Sequence, residues 1–367
     1  MGKLMPASDR VLVCFLGLFS FAVYCLTLSQ TLPSGDSGEL ISAAYTLSIA
    51  HPPGYPLLTL LGKLFTYIPL GSIAWRVNLF SAFCQSAAAV LLCMVVARWS
   101  KNIWAGILAG GLFSFSPLIW RYAVVTEVFA LNNLFITLLL FFVLLFRDTR
   151  DSKYFYFGTF VLGLGLTNQH TLGFYGLPLG LWCFWRGRAE LFNFKSVLKI
   201  LALFFLGLSP YLYLPIAATH SPVIAYGEAP STLIGFWLYV TRQYYGTFEL
   251  GIEGSQPDAF KAIFTYFSAL PREMLYAGIV LPALGVYSFI RKEGLKDILG
   301  ATLAAYVFYF IVFSNLASLP IEQPFYYRIN SAFWQQLNIL VFAWAGLGLI
   351  PILYPNHNRV RKASKRP

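Results

Sequence analysis

The chain has 367 residues, of which 58% are apolar and 11% are charged, and its mean hydropathy is +0.66. Soluble domains carry about 45–50% apolar and about 25% charged residues, so the composition excludes a water-soluble globule and indicates a membrane protein. The net charge of +11 would indicate nucleic-acid binding only if the basic residues formed one patch, so their distribution along the chain has to be considered.

Ten segments are long and apolar enough to cross a bilayer, which requires about 20 residues in a helix. They predict an all-α polytopic membrane protein. The sixth segment is short and contains glycine and proline, so we expect it to be tilted or broken. The segments cover residues 11–29, 74–97, 103–120, 127–146, 154–170, 172–185, 197–217, 274–290, 298–315 and 333–354.

The basic residues are distributed unequally between the two sides of these segments. With a cytoplasmic N-terminus, the inside holds 19 basic and six acidic residues, and the outside holds seven basic and nine acidic ones. The two sides therefore carry net charges of +13 and −2, which is the asymmetry typical of cytoplasmic and extracytoplasmic loops. The charge predicts ten spans with both termini cytoplasmic, and it gives no reason to expect a nucleic-acid partner.

The loops on the two sides of the membrane also differ in length. The inside loops are short, and residues 356–367 read as a basic cytoplasmic tail that lies on the membrane surface. The outside carries a first loop over residues 30–73 and a larger one over 218–273. Because functional residues concentrate in long connecting segments, we expect residues 1–355 to form one membrane domain whose functional face is extracytoplasmic.

The sequence gives no support for a disulfide framework, a metal site, a nucleotide site or a hydrolase motif. The five cysteines all lie in apolar runs without paired spacing, so neither disulfides nor a metal site is expected. The sequence has no Walker A, Rossmann, nucleophile-elbow or HExxH pattern. No metal and no resident cofactor are therefore predicted.

The first outer loop places two carboxylates, Asp36 and Glu39, beside glycines directly after the first span. The stretch Leu40–Ala50 predicts a short amphipathic helix, and Leu57–Ile68 predicts another after a Pro-Pro-Gly corner. Asp36 and Glu39 allow two interpretations: a helix cap with its capping-box partner, or a general base that faces a cleft. His51, just before the prolines, is equally compatible with a capping role and with a role in the site.

Several short stretches of this sequence resemble one multipass family. That family includes the endoplasmic-reticulum O-mannosyltransferases that modify the IPT domains of plexins and related receptors. The first-loop motif is the specific one, and the others follow it in order along nearly the whole chain. The matching stretches are Ser34–Glu39, Ala50–Pro56, Ile73–Leu79, Glu127–Phe135, Asn168–Thr171 and Tyr245–Phe248, with a weaker echo at Phe333–Asn338.

The resemblance implies a GT-C glycosyltransferase fold, a helical membrane bundle with its active site on the extracytoplasmic face. It also implies a polyprenyl-phosphate sugar donor, dolichyl phosphate mannose in eukaryotic relatives, and inversion at the anomeric carbon. A first-loop carboxylate acts as base in such enzymes, and that position corresponds to Asp36. The implied acceptors are protein Ser/Thr hydroxyls, with IPT-type domains among them, and the implied membrane is the endoplasmic reticulum, or the inner membrane in a bacterium.

The remaining site residues are predicted from the charges available on the outer face. The departing phosphate needs cationic or N–H donors, for which Arg121, Arg242, Arg328, His51 and His170 are the candidates. Glu127, Asn168, Gln169 and His170 are expected to line the sugar pocket. Interhelical hydrogen bonding is the alternative for these four. Tyr245 is added as a substrate contact because it lies among aromatic residues close to Arg242.

The leading prediction is a polyprenyl-phosphate-sugar-dependent O-mannosyltransferase with Asp36 and Glu39 as catalytic residues. Two alternatives stay open. One is a secondary transporter or lipid-linked-sugar flippase, whose polar residues would lie near the midplane of the membrane. The other is a non-catalytic assembly subunit of a glycosylation complex. The acids of this chain gather on one face, which favours chemistry there over transport.

Overall fold

The computed structural model describes residues 6–220, 222–226, 230–243, 259–276, 278–291, 295–317 and 319–354. Within these ranges the chain forms helices and turns and contains no strand, which confirms the predicted all-α fold class. Two short 3₁₀ helices cover His170–Leu172 and Ser209–Leu212. The α-helices are α1 (Ala7–Thr27), α2 (Ser37–Thr46), α3 (Pro56–Thr66), α4 (Ile73–Ser100), α5 (Ile103–Phe115), α6 (Pro117–Ala123), α7 (Val128–Thr149), α8 (Ser152–Leu166), α9 (Gly173–Arg186), α10 (Arg188–Leu191), α11 (Phe194–Gly207), α12 (Tyr213–Thr219), α13 (Leu233–Val240), α14 (Ala259–Glu273), α15 (Leu281–Ile290), α16 (Lys296–Leu316), α17 (Pro324–Ala332) and α18 (Trp334–Leu353).

Among the described residues, five helices are by themselves long and apolar enough to cross a membrane, namely α1, α4, α7, α16 and α18. Two further candidates are bent pairs, α5 with α6 at 66° and α11 with Ser209–Thr219 at 45°. The multi-pass architecture is thus confirmed with five to seven candidate spans. The count of ten stays a prediction, because α8, α9 and α15 have only 15, 14 and 10 residues.

Helix α18 occupies the centre of the bundle. Almost all of its residues are buried, as expected for a helix that is apolar on every side. It packs against α4, α5, α7 and α15. The approach to α15 is very close, since a Cβ added to Gly285 would lie 2.0 Å from the carbonyl oxygen of Trp344. Small residues at such crossings let membrane helices gain packing energy.

The first outer loop folds into the two predicted helices. Helix α2 starts at Ser37 and ends earlier than expected, because Leu47 adopts a left-handed conformation with φ of 54°. Helix α3 starts at Pro56, where a proline at the first helical position sacrifices no hydrogen bond. Between them Gly54 has φ of 92°, and a Cβ there would lie 2.7 Å from the Leu214 side chain, so the corner accepts only glycine without strain.

Hydrogen bonds fix the segment between α2 and α3 to the rest of the bundle. Tyr213 donates to the carbonyl of Ser48 at 3.0 Å, and Tyr239 donates to that of Ala50 at 2.6 Å. Arg76, on the first turn of α4, donates to the carbonyls of residues 66, 70 and 71 at the end of α3. The corner that carries His51 is therefore held by α12 and α13, and α4 holds the other end of α3.

Candidate active site

A cavity of about 480 Å³ opens where the first outer loop meets the beginning of α7, the end of α8 and helix α17. This volume lies within the range of pockets for small molecules, about 300–1,000 Å³. The cavity brings together residues that lie far apart in the sequence, with 292 positions between Asp36 and Arg328. The predicted site residues that line it are Asp36, His51, Arg121, Glu127, Gln169, His170, Arg242 and Arg328.

Asp36 lies at the mouth of this cavity, with 60% of its side chain exposed. It occupies the position before α2, but its side chain makes no capping hydrogen bond. Its backbone N–H instead donates to the carboxylate of Glu127. The geometry therefore disagrees with the capping-box interpretation and leaves the Asp36 carboxylate directed toward the cavity, available to a ligand.

Glu39 lies behind the cavity wall and holds His51. Its carboxylate accepts from the His51 backbone N–H at 2.5 Å and from His51 Nδ1 at 3.0 Å. With Nδ1 protonated, His51 Nε2 accepts from the Tyr55 hydroxyl at 3.0 Å and lies 4.0 Å from Asp36 Oδ2. Burial raises the pKa of Glu39, but the hydrogen bonds from His51 and Tyr226 outweigh the effect of burial, and the pKa is lowered overall.

Glu127 immediately precedes α7 and lines the cavity beside Asp36. Burial, together with the nearby negative charge of Asp36, raises the pKa of Glu127 to about 8. Glu127 is therefore protonated at neutral pH and can donate a hydrogen bond. Its position is fixed through the preceding residue, because the Thr126 hydroxyl donates to Asn78 Oδ1 at 2.7 Å in the buried interior.

Three arginines supply the positive charge of the cavity. Arg121 lies near the end of α6, Arg242 lies just beyond α13, and Arg328 lies on α17. Arg328 donates to the Tyr122 hydroxyl, and the charge of Arg242 acts on both Tyr55 and His170. With Glu127 neutral, the three guanidinium groups face one carboxylate, Asp36, so the cavity favours an anionic ligand.

The end of α8 closes the floor of the cavity with Gln169 and His170. His170 Nε2 lies 2.7 Å from the Tyr211 hydroxyl, which donates to the carbonyl of Leu166. Burial and the charge of Arg242 lower the pKa of His170 to about 4. His170 is thus neutral at physiological pH, which disfavours the interpretation of this residue as a cation for phosphate.

Asn168 has a different position from the one predicted. It is fully buried outside the cavity, where its amide donates to the carbonyl of Val128 at 2.9 Å. It therefore supports the first turn of α7 next to Glu127. Gln169 also has an interhelical partner, since its side-chain oxygen accepts from Gln336 at 3.1 Å.

One wall of the cavity is apolar. Side chains from α7, α16 and α17, with Phe333 between α17 and α18, form it. Such a surface suits a hydrocarbon chain placed next to the charged part of the cavity. These lining residues are Phe129, Phe313, Phe325, Ile329 and Phe333.

Some predicted residues lie elsewhere, and some contacts were not predicted. Tyr245 and the predicted tail 356–367 lie outside the described residues. Tyr55 and Tyr122, which hold His51 and Arg328, were not predicted. Tyr55 stood in the quoted Ala50–Pro56 motif, four residues after His51, but its contact to His51 depends on the fold of that corner.

Among the residues that the structure describes, no group of three or more His, Cys, Asp or Glu side chains is arranged to hold a metal ion. The ionisable groups that line the cavity include Asp36, Glu127, His51, His170 and the three arginines.

Comparison with known proteins adds a second, independent line of argument. Residues 36–192 match the family model of the protein O-mannosyl-transferase TMEM260 N-terminal domain. The chain is 33% identical over 383 aligned positions to protein O-mannosyl-transferase tmem260 of Dictyostelium discoideum, covering 98% of this chain and 47% of that protein. It is 37% identical over 342 positions to mouse protein O-mannosyl-transferase TMEM260, covering 90% of this chain and 48% of the mouse protein.

The chain thus spans about half the length of these two relatives. The match to the family model begins at Asp36 and includes the first outer loop and helices α2 to α10. No solved structure shows a significant match to the chain.

Proposed function

Because the chain is related over nearly its whole length to the TMEM260 family of protein O-mannosyl-transferases, we propose that it is a mannosyltransferase of the GT-C class. In this proposal it moves mannose from a polyprenyl phosphate, dolichyl phosphate in a eukaryote, to Ser/Thr hydroxyls of a protein on the extracytoplasmic or luminal face. IPT-type domains are the acceptor class to test first, in keeping with the resemblance described above.

The observation that supports this proposal most is the arrangement of charges in one cavity. Asp36 lies at the mouth, where a protein acceptor can enter, and the three arginines surround the space next to it. The donor is a phosphodiester, and its phosphate gains charge as the bond to the sugar breaks. Preorganised cationic donors stabilise that developing charge, and the apolar wall accommodates isoprene units.

The proposed reaction is a single displacement. Asp36 accepts the proton of the acceptor hydroxyl, whose oxygen forms a bond to the anomeric carbon. The bond between that carbon and the phosphate oxygen breaks, and the polyprenyl phosphate leaves with the electron pair toward Arg121, Arg242 and Arg328. Attack from the opposite side inverts the configuration. Glu39 and His51 keep the first outer loop in position, and protonated Glu127 donates a hydrogen bond to the donor.

The test uses purified protein, radiolabelled dolichyl phosphate mannose and an IPT domain or a Ser/Thr-rich peptide. We expect Asp36→Asn to reduce transfer by at least about 100-fold, the lower end of the effect typical of a single general base, while donor binding stays within a few-fold of wild type. Glu190→Asn, an exposed change on α10, is the control. Full activity of Asp36→Asn would exclude Asp36 as the base.

The alternative functions give different results in the same preparation. A transporter or flippase would move the lipid-linked sugar across proteoliposome membranes without forming a mannosyl-protein bond. An assembly subunit would do neither unless its partner were added. Transport of the donor without transfer would therefore contradict the proposed mannosyltransferase activity.

A further inference from the structure

A second concave site lies at the opposite end of the bundle from the candidate active site. On α7, Phe146 follows Val128 by 18 residues, so the two positions lie about 27 Å apart along the helix. Near Phe146 an apolar groove of about 240 Å³ opens between four helices, α7, α8, α9 and α11. Its lining includes Phe142, Phe146, Phe155, Leu179, Ile200 and Phe204.

Glycines create part of this space. Gly158 on α8 and Gly180 on α9 both line the groove. A Cβ added to Gly180 would meet nothing within 4 Å, and one added to Gly158 would meet only Phe142, at 3.8 Å. Neither glycine is explained by a close helix crossing, so a larger residue would fit at Gly180 and would fill the groove. Leu181 beside it is 61% exposed, as a side chain toward lipid would be.

The end of the groove is strongly basic. The segments 147–153 and 186–199 flank it and carry seven basic and three acidic residues. The charges of Arg150 and Arg186 act on the Cys183 side chain, which lines the groove. Lys199 directly precedes the lining residue Ile200.

Only some of these cations are neutralised within the protein. Arg186 pairs with Asp297 at 2.6 Å. Arg150 instead donates to the backbone carbonyl of Arg186, and the Lys199 ammonium lies 4.2 Å from the ring centre of Tyr156. Within the described ranges, no carboxylate lies within 4 Å of Arg150 or Lys199 (the ion pairs at this end are Arg98–Asp148, Arg147–Asp148, Arg147–Asp297, Arg186–Asp297 and Lys153–Asp151).

From the apolar groove and the unpaired cations at its end, we propose that this is a binding site for an anionic phospholipid of the surrounding bilayer. One acyl chain would lie in the groove past Gly180, and Arg150 and Lys199 would contact the phosphate headgroup. Basic pockets between membrane helices bind anionic headgroups in this way. The site is independent of the proposed mannosyl transfer, because it lies at the other end of α7.

Native mass spectrometry of the full chain in detergent tests the proposal with phosphatidylglycerol and phosphatidylcholine as probes. Wild type should bind one phosphatidylglycerol about 25-fold more tightly than phosphatidylcholine, about fivefold for each of the two cations. Arg150→Gln/Lys199→Gln should lose about fivefold of that affinity per cation with phosphatidylcholine binding unchanged. Gly180→Leu should weaken binding of both lipids. Equal affinity of wild type for the two lipids would overturn the proposal.

Matched controls separate the site from general effects of charge and size. Gly300→Leu on α16 changes another glycine with open space around it, and Arg10→Gln/Lys101→Gln removes two exposed cations elsewhere. Both should bind the lipids as wild type does. If these controls lose the same affinity as the site variants, the groove has no special role and the proposal is wrong. Melting temperatures show which variants are folded. The charge variant and the groove variant test the lipid site independently, so the failure of one to fold leaves the other as a test.

Discussion

At the scale of single residues, the two carboxylates of the first outer loop have different environments. Asp36 is mostly exposed at the cavity, whereas only 14% of the Glu39 side chain is exposed and it holds His51. From their three-residue spacing, a helix cap with its capping-box partner and a general base facing a cleft were both possible. In the structure Asp36 is the carboxylate exposed at the cavity, whereas Glu39 contacts the backbone N–H and Nδ1 of His51. We propose that Glu39 positions His51.

Replacing Glu39 tests this division of roles. Glu39→Gln keeps the size of the side chain but removes the charge that His51 contacts, and such charged hydrogen bonds contribute about 1.5–3 kcal/mol. We expect transfer to fall about 10- to 100-fold, with the Kd of the donor nearly unchanged. The pH dependence of stability is a second test of the Glu39–His51 contact. Because the pKa of Glu39 is lowered in the folded protein, ionised Glu39 stabilises the fold at pH values above its ordinary pKa of 4.5. This stabilisation is lost as the pH falls through the lowered pKa. Wild-type behaviour of Glu39→Gln in both assays would contradict the positioning role.

Glu127 should make stability depend on pH between about 4.5 and 8 and donor binding depend on pH near 8. Its pKa is raised from 4.5 to about 8 in the folded protein, so the native state holds a proton that the unfolded state has lost. Stability must therefore fall as pH rises between these values. Donor binding should also fall through about pH 8, because ionised Glu127 adds a negative charge beside the phosphate.

The measurement compares melting temperature and donor affinity at pH 6 and pH 9 in wild type and Glu127→Gln. Between pH 6 and pH 9 the melting temperature and the donor affinity of Glu127→Gln should fall less than those of wild type, since its side chain cannot ionise. Glu190→Gln, far from the cavity, should follow wild type. An unchanged alkaline limb in Glu127→Gln would show that another group titrates there.

At the scale of secondary-structure elements, the site depends on how helix ends are joined. The corner between α2 and α3 is hydrogen-bonded to α12 and α13, because Tyr213 and Tyr239 donate to its backbone carbonyls. The start of α7 is held by Asn78 of α4, which accepts from Thr126 at 2.7 Å and donates to the carbonyl of Ser29 at 3.0 Å. These contacts bring Asp36 and Glu127 to one cavity.

The Asn78–Thr126 pair can be tested with a double-mutant cycle. Asn78→Ala leaves the buried Thr126 hydroxyl without an acceptor, which costs about 1–3 kcal/mol, and should lower the melting temperature and the transfer rate together. Thr126→Val in the same background removes the unpaired group and should restore part of the stability. Additive losses in the double variant would mean that the hydrogen bond does not couple α4 to α7.

At the scale of the whole molecule, the bundle has a charged cavity at one end and a basic groove at the other, joined by apolar helices around α18. The predicted topology places these ends on opposite sides of the membrane. In that topology the bent pair of α11 with Ser209–Thr219 crosses the membrane. It connects the basic segment near Ala189 on one side to the segment near Val223 on the other.

Labelling of single cysteines with a membrane-impermeant thiol reagent tests that topology. In a variant without the five native cysteines, Leu32→Cys and Val223→Cys should be labelled from the extracytoplasmic side, and Ala189→Cys only after permeabilisation. Leu32 and Val223 are 60% and 78% exposed, so access does not limit labelling. If Ala189→Cys and Val223→Cys react from the same side, the bent pair does not cross the membrane.

The sequence by itself determined the class of the protein, because apolar length and charge asymmetry are properties of local segments. It also predicted the first outer loop, its two helices and eight of the residues that line the cavity, from the collinear motifs and from the few charges on the outer face. It could not show that Glu39 holds His51, that Asn168 lies outside the cavity, or that Tyr55 and Tyr122 belong to the site. Those facts depend on which helix ends meet, and long-range packing around α18 sets that arrangement. The raised pKa of Glu127 has the same origin, because its burial and its neighbour Asp36 exist only in the folded chain.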